Sequence, residues 1–181
     1  MRAFRLLLIV LVVCTLNSCR TNLNKTVHNL YGKRINFSWH NVKITGDELQ
    51  EDYYSISPIK IALYVDTAMC TPCIRNYLKN ASNYIQSLQN DDIELLCILQ
   101  KRSTNEVQSL LKEVDLSGIS VINDINNKYL ETNSLEKNAP VVNSFLLDKN
   151  NQVLLVGDPL RNMKVRDLYD ERIKEMTNIK N

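Results

Sequence analysis

The chain has 181 residues, of which 22 are basic and 20 are acidic, so its formal net charge is +2. This length suits one domain with a substantial apolar core. The near balance of charge, without a long basic stripe, argues against nucleic acid as a partner. The hydrophobic content of 44% is that of an ordinary globular protein.

The first 18 residues differ from the rest and have the pattern of an export signal. Arg2 and Arg5 precede the apolar run 6–13, which is too short to span a bilayer as a stable helix. Residues 16–19, Leu-Asn-Ser-Cys, are similar to the lipobox of bacterial lipoproteins. The resemblance implies that Cys19 becomes the lipidated N-terminus and joins the chain to the membrane. A plain signal peptide with an incidental cysteine is the alternative.

Export would place the protein in the bacterial cell envelope, lipid-anchored, with its domain facing the oxidising periplasm. Cys14 would leave with the signal and Cys19 would be acylated, so at most one disulfide forms within the mature chain. We divide the sequence into a signal peptide 1–18, a tether 19–27, an N-terminal β extension 28–57, a main domain 58–176 and a tail 177–181.

The first elements after the tether are two strands and a long helix. Residues 30–37 predict a short strand entered through Gly32, and residues 45–48 predict a turn within a mixed segment. The run 59–65, apolar at every position except Lys60, indicates a strand that is buried on both faces. Apolar residues recur at spacings of three and four along 71–89, as one buried face of a helix requires.

The second half of the sequence continues the alternation of strands and helices. Ser103 followed by Glu106 has the pattern of a capping box and predicts the start of a helix. The order of elements implies an α/β fold, with a central mixed sheet covered by helices on both faces. The remaining elements predicted are a strand 93–99, the capped helix through 114, a strand 119–122, a helix 124–130, a hairpin of 144–147 with 152–156, and a helix 163–176.

The sequence Cys70-Thr71-Pro72-Cys73 lies at the junction between the buried strand and the long helix. Two cysteines three residues apart at the start of a helix are close enough to form a disulfide. Cys70 lies where the free amides of a helix N-terminus stabilise a thiolate. We expect Cys73, one turn into the helix, to be shielded by that helix. Pro72 removes a backbone donor that would lack a partner in the first turn anyway.

The order strand, Cys-x-x-Cys, long helix, βα unit, hairpin and terminal helix resembles the thioredoxin fold. Within it, Leu-Tyr-Gly-Lys at 30–33 and the hairpin from Phe145 are similar to the exported TlpA/redoxin-like proteins of bacteria. The resemblance implies a thiol–disulfide oxidoreductase in which Cys70 attacks and Cys73 resolves. It also implies client proteins with thiols or disulfides, a separate redox partner protein and no cofactor.

The sequence departs from the pattern of this family at three positions. Met69 stands where the family usually has Trp, and Tyr64 stands where thioredoxins often have a buried acid, the nearest carboxylate being Asp66. Pro140 is the candidate for the cis-proline that faces the disulfide, although it comes two residues early; Val142 is the alternative at that place. The candidate groove or modulating residues are therefore Thr71, Pro72, Met69, Asp66, Tyr64 and Pro140.

A structural disulfide and a metal site are two other interpretations of the cysteine pair, and both have less support in the sequence than a redox-active pair. A structural disulfide over so short a loop would add little stability. A metal site would need further ligands from Cys97, His28 or His40, so we expect no metal. Cys97 is most simply a buried core residue, and the histidines solvated.

Two functions remain as alternatives to thiol–disulfide exchange. A peroxide-reducing redoxin would have a Thr or Ser three residues before its reactive cysteine, and Thr67 meets this requirement. It would also have an arginine in the same pocket, and the sequence does not indicate which arginine that is. A redox-inert lipoprotein would use the fold as a binding module.

Three aromatic residues have two possible places in this fold. They either line a client groove or, more simply, pack against the sheet edge, and they are Trp39, Tyr53 and Tyr54.

Overall fold

A computed structural model describes residues 25–38, 41–45, 48–66, 68–100, 103–112, 114–136 and 140–178. The signal peptide, Cys19, Trp39, His40 and Thr67 lie outside these ranges. Within them, no helix combines the length and the apolar character needed to cross a membrane.

One mixed sheet forms the centre of the described chain. Its strands are β1 (Val42–Thr45), β2 (Glu48–Glu51), β3 (Ile59–Val65), β4 (Ile93–Gln100), β5 (Ile119–Asp124), β6 (Phe145–Leu147) and β7 (Val153–Val156). They lie in the order β2-β1-β5-β4-β3-β6-β7. The pairs β3–β4 and β4–β5 are parallel, and the other neighbouring pairs are antiparallel. The predicted mixed sheet is confirmed.

Helices cover both faces of this sheet. They are α1 (Thr71–Leu88), α2 (Thr104–Leu111), α3 (Lys128–Thr132) and α4 (Met163–Asn178), with a 3₁₀ turn at Pro140–Asn143. Successive side chains of a strand point to opposite faces. Leu63 and Val65 of β3 therefore pack in the core beneath α1, α2 and α4, whereas Ala62 and Tyr64 pack in the core on the α3 side.

The N-terminal part differs from its prediction. Residues 25–30 are helical, and the expected strand 30–37 is reduced to one antiparallel bridge between Arg34 and Gln152. Gly32, with φ of +74°, turns the chain so that its amide donates to the carbonyl of Val153 at 2.9 Å. The strand pair of the extension is instead β1–β2, and β1 pairs with β5, so this hairpin is part of the main sheet.

Two helix boundaries also differ from their predictions. The capping box of Ser103 and Glu106 is confirmed, but α2 ends at Leu111, three residues earlier than expected. The helix expected from residue 124 begins at Lys128, because Asp124 is the last residue of β5. The Asp124 carboxylate accepts the amides of Lys128 and Tyr129 at 2.8 and 2.9 Å, so it caps the helix from the end of a strand.

Glu94 in β4 joins the sheet to the segment that follows β2. Its carboxylate accepts hydrogen bonds from the hydroxyl groups of Tyr53, Ser55 and Ser120, and Lys43 Nζ lies 3.8 Å away. Burial raises the pKa of Glu94, but the hydrogen bonds and Lys43 outweigh burial, so the net pKa is lower than usual.

We expect Glu94→Gln to lower the free energy of unfolding at neutral pH by about 1–3 kcal/mol, because buried hydroxyl groups lose a charged acceptor. A lowered carboxyl pKa stabilises the fold above the unfolded-state pKa, and this stability is lost as pH falls through the folded-state pKa. The difference from wild type should therefore shrink below about pH 4 in urea titrations. Glu171→Gln, at an exposed position of α4, is the matched control. A loss that does not depend on pH would contradict this account.

Candidate active site

The cysteine pair follows the carboxyl end of β3, at the start of α1. Cys70 and Cys73 form a disulfide, with their Cα atoms 5.1 Å apart. Cys70 is the N-cap of α1, and its Sγ accepts the backbone amide of Cys73 at 3.2 Å. Pro72 occupies the first turn, where a missing amide costs the helix little. The predicted proximity of the two cysteines is confirmed.

Both cysteines are accessible from solvent. Cys70, Thr71, Pro72 and Cys73 are all exposed, so the expectation that the helix shields Cys73 is wrong. The reason is the direction of the first turn, in which Ile74 takes the buried side and leaves Cys73 on the open side. A partner sulfur can therefore reach the pair without a movement of the core.

Asp66 and Met69 form the turn that leads from β3 to Cys70. The Asp66 carboxylate accepts the amide of Ala68 at 2.9 Å, and its carbonyl accepts the amide of Met69 at 3.2 Å. Aspartate favours such turns because its side chain bonds the backbone two residues on. Asp66 thus holds the backbone before Cys70 in place.

Tyr64 points away from the cysteine pair, into the core on the α3 side of the sheet. Its hydroxyl bonds Gln100, and its ring stacks on Tyr129 with centroids 5.9 Å apart. Its backbone amide donates to Ser144 Oγ at 3.1 Å. Burial raises the pKa of Tyr64, with Asp66 and Asp124 adding to the effect, so the phenol stays neutral.

Pro140 is the first residue of the 3₁₀ turn that precedes β6, and this turn as a whole lies next to β3. Val142, in the same turn, is buried in the core on the α3 side of the sheet, whereas α1 covers the other side. The peptide bond before Pro140 joins it to Ala139, so the predicted cis bond lies outside the described residues.

A second set of residues beside the cysteine pair was missed by the sequence analysis. We name it the Asp158 cluster, and it consists of Tyr77, Asp158 and Arg161. The buried Asp158 carboxylate accepts the Tyr77 hydroxyl at 2.7 Å and lies 3.1 Å from Arg161 Nε. Arg161 Nη2 in turn lies 3.1 Å from Met69 Sδ, next to Cys70. In the sequence, Asp158 lies in Gly157-Asp158-Pro159 before the last helix, and nothing in that pattern indicates this contact.

Cys97 is fully buried in β4 and forms no disulfide. Burial, with a smaller contribution from Asp158, raises the pKa of its thiol, so the group stays neutral. The prediction of a buried core cysteine is confirmed. His28 is exposed, and no group of three or more potential metal-ligating side chains is found within the described ranges.

The two described aromatic residues of the expected groove differ in their surroundings. The Tyr53 hydroxyl bonds Glu94, and Lys43 Nζ lies 4.2 Å from the centroid of the Tyr53 ring. Tyr53 therefore packs at the amino end of β4, whereas the cysteine pair follows the carboxyl end of β3. Tyr54 is exposed.

Comparisons of sequence find no relative, since no family model and no curated protein matches the chain. Solved structures do match. A possible thiol-disulfide isomerase domain from Cytophaga hutchinsonii has a TM-score of 0.59 at 14% identity, covering 82% of this chain and 97% of its own. A Chlorobium tepidum protein assigned as the thiol:disulfide interchange protein DsbE has a TM-score of 0.55 at 12% identity, covering 80% and 96%.

A third match is the exposed lipoprotein thioredoxin of Streptococcus pneumoniae, with a TM-score of 0.50 at 14% identity. It covers 73% of this chain and 98% of its own. At such identities these likenesses show the fold alone. The chain has a thioredoxin-like fold, and its Cys70–Cys73 pair lies where a strand passes into a long helix.

We expect the three described cysteines to differ in their accessibility to an alkylating reagent. After reduction with dithiothreitol, iodoacetamide should label Cys70 and Cys73 of the native protein rapidly. Cys97 should react at least about 100-fold more slowly, because its labelling requires the core to open. Mass spectrometry of the digested protein measures each site, and all three should react in concentrated urea. Fast labelling of Cys97 without denaturant would contradict the burial described here.

Proposed function

We propose that the protein is a thiol–disulfide oxidoreductase that acts on protein cysteines outside the cytoplasm. The observation that carries the proposal is the exposed Cys70–Cys73 disulfide at the N-terminus of α1, with the Cys73 amide on the Cys70 sulfur. The names of the similar structures, among them an isomerase and an interchange protein, agree with this chemistry.

In the reducing direction, the Cys70 thiolate attacks one sulfur of a client disulfide. A Cys70–client bond forms, the client disulfide breaks, and the leaving sulfur takes up a proton. Cys73 then loses its proton and attacks the Cys70 sulfur, which releases the second client thiol and closes the Cys70–Cys73 disulfide. Two electrons pass from the dithiol to the client, and the reverse sequence oxidises a client dithiol.

The position of each cysteine supports its role. Cys70 is the N-cap, where the free amides of the first turn and the positive end of the helix dipole favour a thiolate. Cys73 lies within reach of Cys70, as their disulfide shows, so it can resolve a mixed disulfide without a rearrangement of α1.

A lipid tether at Cys19 would hold this domain at the membrane. The lipobox-like sequence at 16–19 supports the anchor, and so does the likeness to an exposed lipoprotein thioredoxin. We propose that the domain faces the periplasm of the bacterial envelope, where client disulfides persist. A separate redox partner protein would return the pair to its working state.

Substitution of the cysteines tests the chemistry. Cys70→Ser should abolish the acceleration of insulin reduction over the rate with dithiothreitol alone, because the attacking thiolate is lost. After reduction and removal of dithiothreitol, Cys73→Ser should instead accumulate a mixed disulfide with the client, which non-reducing gels detect. Cys97→Ala, which removes the buried thiol, is the control and should keep the activity. Full activity in Cys70→Ser would falsify the proposal.

The same samples distinguish the alternative functions. A peroxide-reducing redoxin would consume hydrogen peroxide through Cys70, and an inert binding module would show a pair that dithiothreitol does not reduce. The reduction potential of the pair sets the direction of electron flow. A value of about −270 mV would indicate a reductant, and one of about −120 mV an oxidant.

Substitution of Cys19 tests the tether. Cys19→Ala should move the protein from the detergent phase to the aqueous phase in a Triton X-114 partition, because the acylated cysteine is absent. Cys14→Ala, within the expected signal, is the control and should leave the partition unchanged. Wild-type protein that partitions into the aqueous phase would contradict lipidation.

A further inference from the structure

Arg161 is held in one position by three neighbours. Its Nε lies 3.1 Å from the buried carboxylate of Asp158, and its guanidinium carbon lies 5.5 Å from the centroid of the Tyr77 ring. Its Nη2 is 3.1 Å from Met69 Sδ. Because Asp158 also accepts the amide of Leu160 at 2.8 Å, the carboxylate that orients the guanidinium is itself fixed.

This fixed cation contacts one residue before the cysteine pair in sequence and one residue after it. Met69 directly precedes Cys70, and Tyr77 follows Cys73 by four residues, a distance of about 6 Å along a helix axis. The guanidinium therefore lies beside the first turn of α1, from which both cysteines are exposed.

The open side of Arg161 offers hydrogen-bond donors to a molecule bound at the pair. Its side chain is 35% exposed, whereas that of Asp158 is 2% exposed, so solvent meets the cation rather than the carboxylate. Among the described residues, Arg161 forms its ion pair with Asp158, and the first turn of α1 carries no acid. A guanidinium presents several N–H groups in a plane that suits a carboxylate.

We propose that Arg161 is a specificity-determining residue that binds an acidic side chain next to the client cysteine. This inference rests on the proposed function, because it concerns which disulfides the Cys70–Cys73 pair accepts. The client is then a protein or peptide whose disulfide is flanked by Asp or Glu. Arg161 orients that carboxylate while the Cys70 thiolate attacks the adjacent sulfur.

The test compares two synthetic peptide disulfides that differ in one feature. Each is a symmetric dimer linked through a single Cys, flanked by Glu in one peptide and by Gln in the other. The pair of the full-length protein is first reduced with dithiothreitol, which is then removed, and the rate of peptide thiol release is measured. Each rate is divided by the rate at which dithiothreitol alone reduces the same peptide, which corrects for the intrinsic reactivity of the disulfide.

For the wild type, we expect the corrected rate with the Glu peptide to exceed that with the Gln peptide about three- to fivefold at low salt, the size of a partly exposed ion pair. Arg161→Gln should bring the ratio to about one, and Arg161→Lys should restore part of it, because the charge remains and the planar donors do not. In Arg161→Gln the Asp158 carboxylate keeps the Tyr77 hydroxyl and the Leu160 amide as partners, so we expect this variant to fold with reduced stability. Arg161→Lys keeps a positive charge beside Asp158, and thermal unfolding checks the fold of both variants.

Arg166→Gln is the matched control. Arg166 also lies over a tyrosine of α1, with its guanidinium carbon 4.6 Å from the Tyr84 ring centroid, but Tyr84 follows Cys73 by eleven residues. This variant removes the same charge and the same kind of contact far from the pair, so it should keep the wild-type ratio.

Three results would overturn the inference. Equal corrected rates for the two peptides with wild-type protein would show no acidic preference, and rates that are both unchanged in Arg161→Gln would assign the preference elsewhere. An equal loss of rate with both peptides in Arg161→Gln would assign Arg161 to the thiolate and not to the client. Wild-type protein that reduces neither peptide and not insulin would instead contradict the proposed function itself.

Discussion

The complete burial of β3 is the constraint on which the rest of the structure depends. All seven of its residues are buried, between parallel β4 and antiparallel β6, with an apolar core on each face. Each fully buried aliphatic side chain contributes about 1.5–3 kcal/mol, so the strand cannot shift without a large loss of stability. The position of β3 therefore fixes the start of the turn at Asp66, and this turn places the N-cap Cys70 beyond the carboxyl end of β3.

The fold does not need the disulfide that it displays. A disulfide between residues three apart closes a short loop and removes little entropy from the unfolded chain. The buried face of α1, which includes Ile74, Tyr77 and Leu78, holds the helix against the sheet. The pair can therefore be reduced and reformed while the helix stays in place, as repeated exchange requires.

The sequence predicted correctly those elements whose structure depends on interactions between residues close together in the chain. The apolar run of β3, the capping box at Ser103 and the site at Cys70 each depend on neighbours in sequence. The hairpin β1–β2 was missed because its outer strand Glu48–Glu51 is exposed throughout and lacks an apolar face. The Asp158 cluster could not be predicted either, because Tyr77 and Asp158 are 81 residues apart and meet only once α4 packs on α1.

Asp158 is a buried acid on the same side of the sheet as α1, and it lies at a position where the sequence did not predict one. The strand position that often carries such an acid holds Tyr64, whose hydroxyl bonds Gln100 on the α3 side. The buried carboxylate on the α1 side belongs instead to Asp158, after β7. A buried charge without a partner costs several kcal/mol, so Asp158 requires the guanidinium of Arg161 as much as it orients it. The ion pair that stabilises the buried Asp158 carboxylate also fixes the guanidinium of Arg161 against Met69, next to Cys70. The positive charge near the cysteine pair is therefore a consequence of the pairing that the buried carboxylate requires.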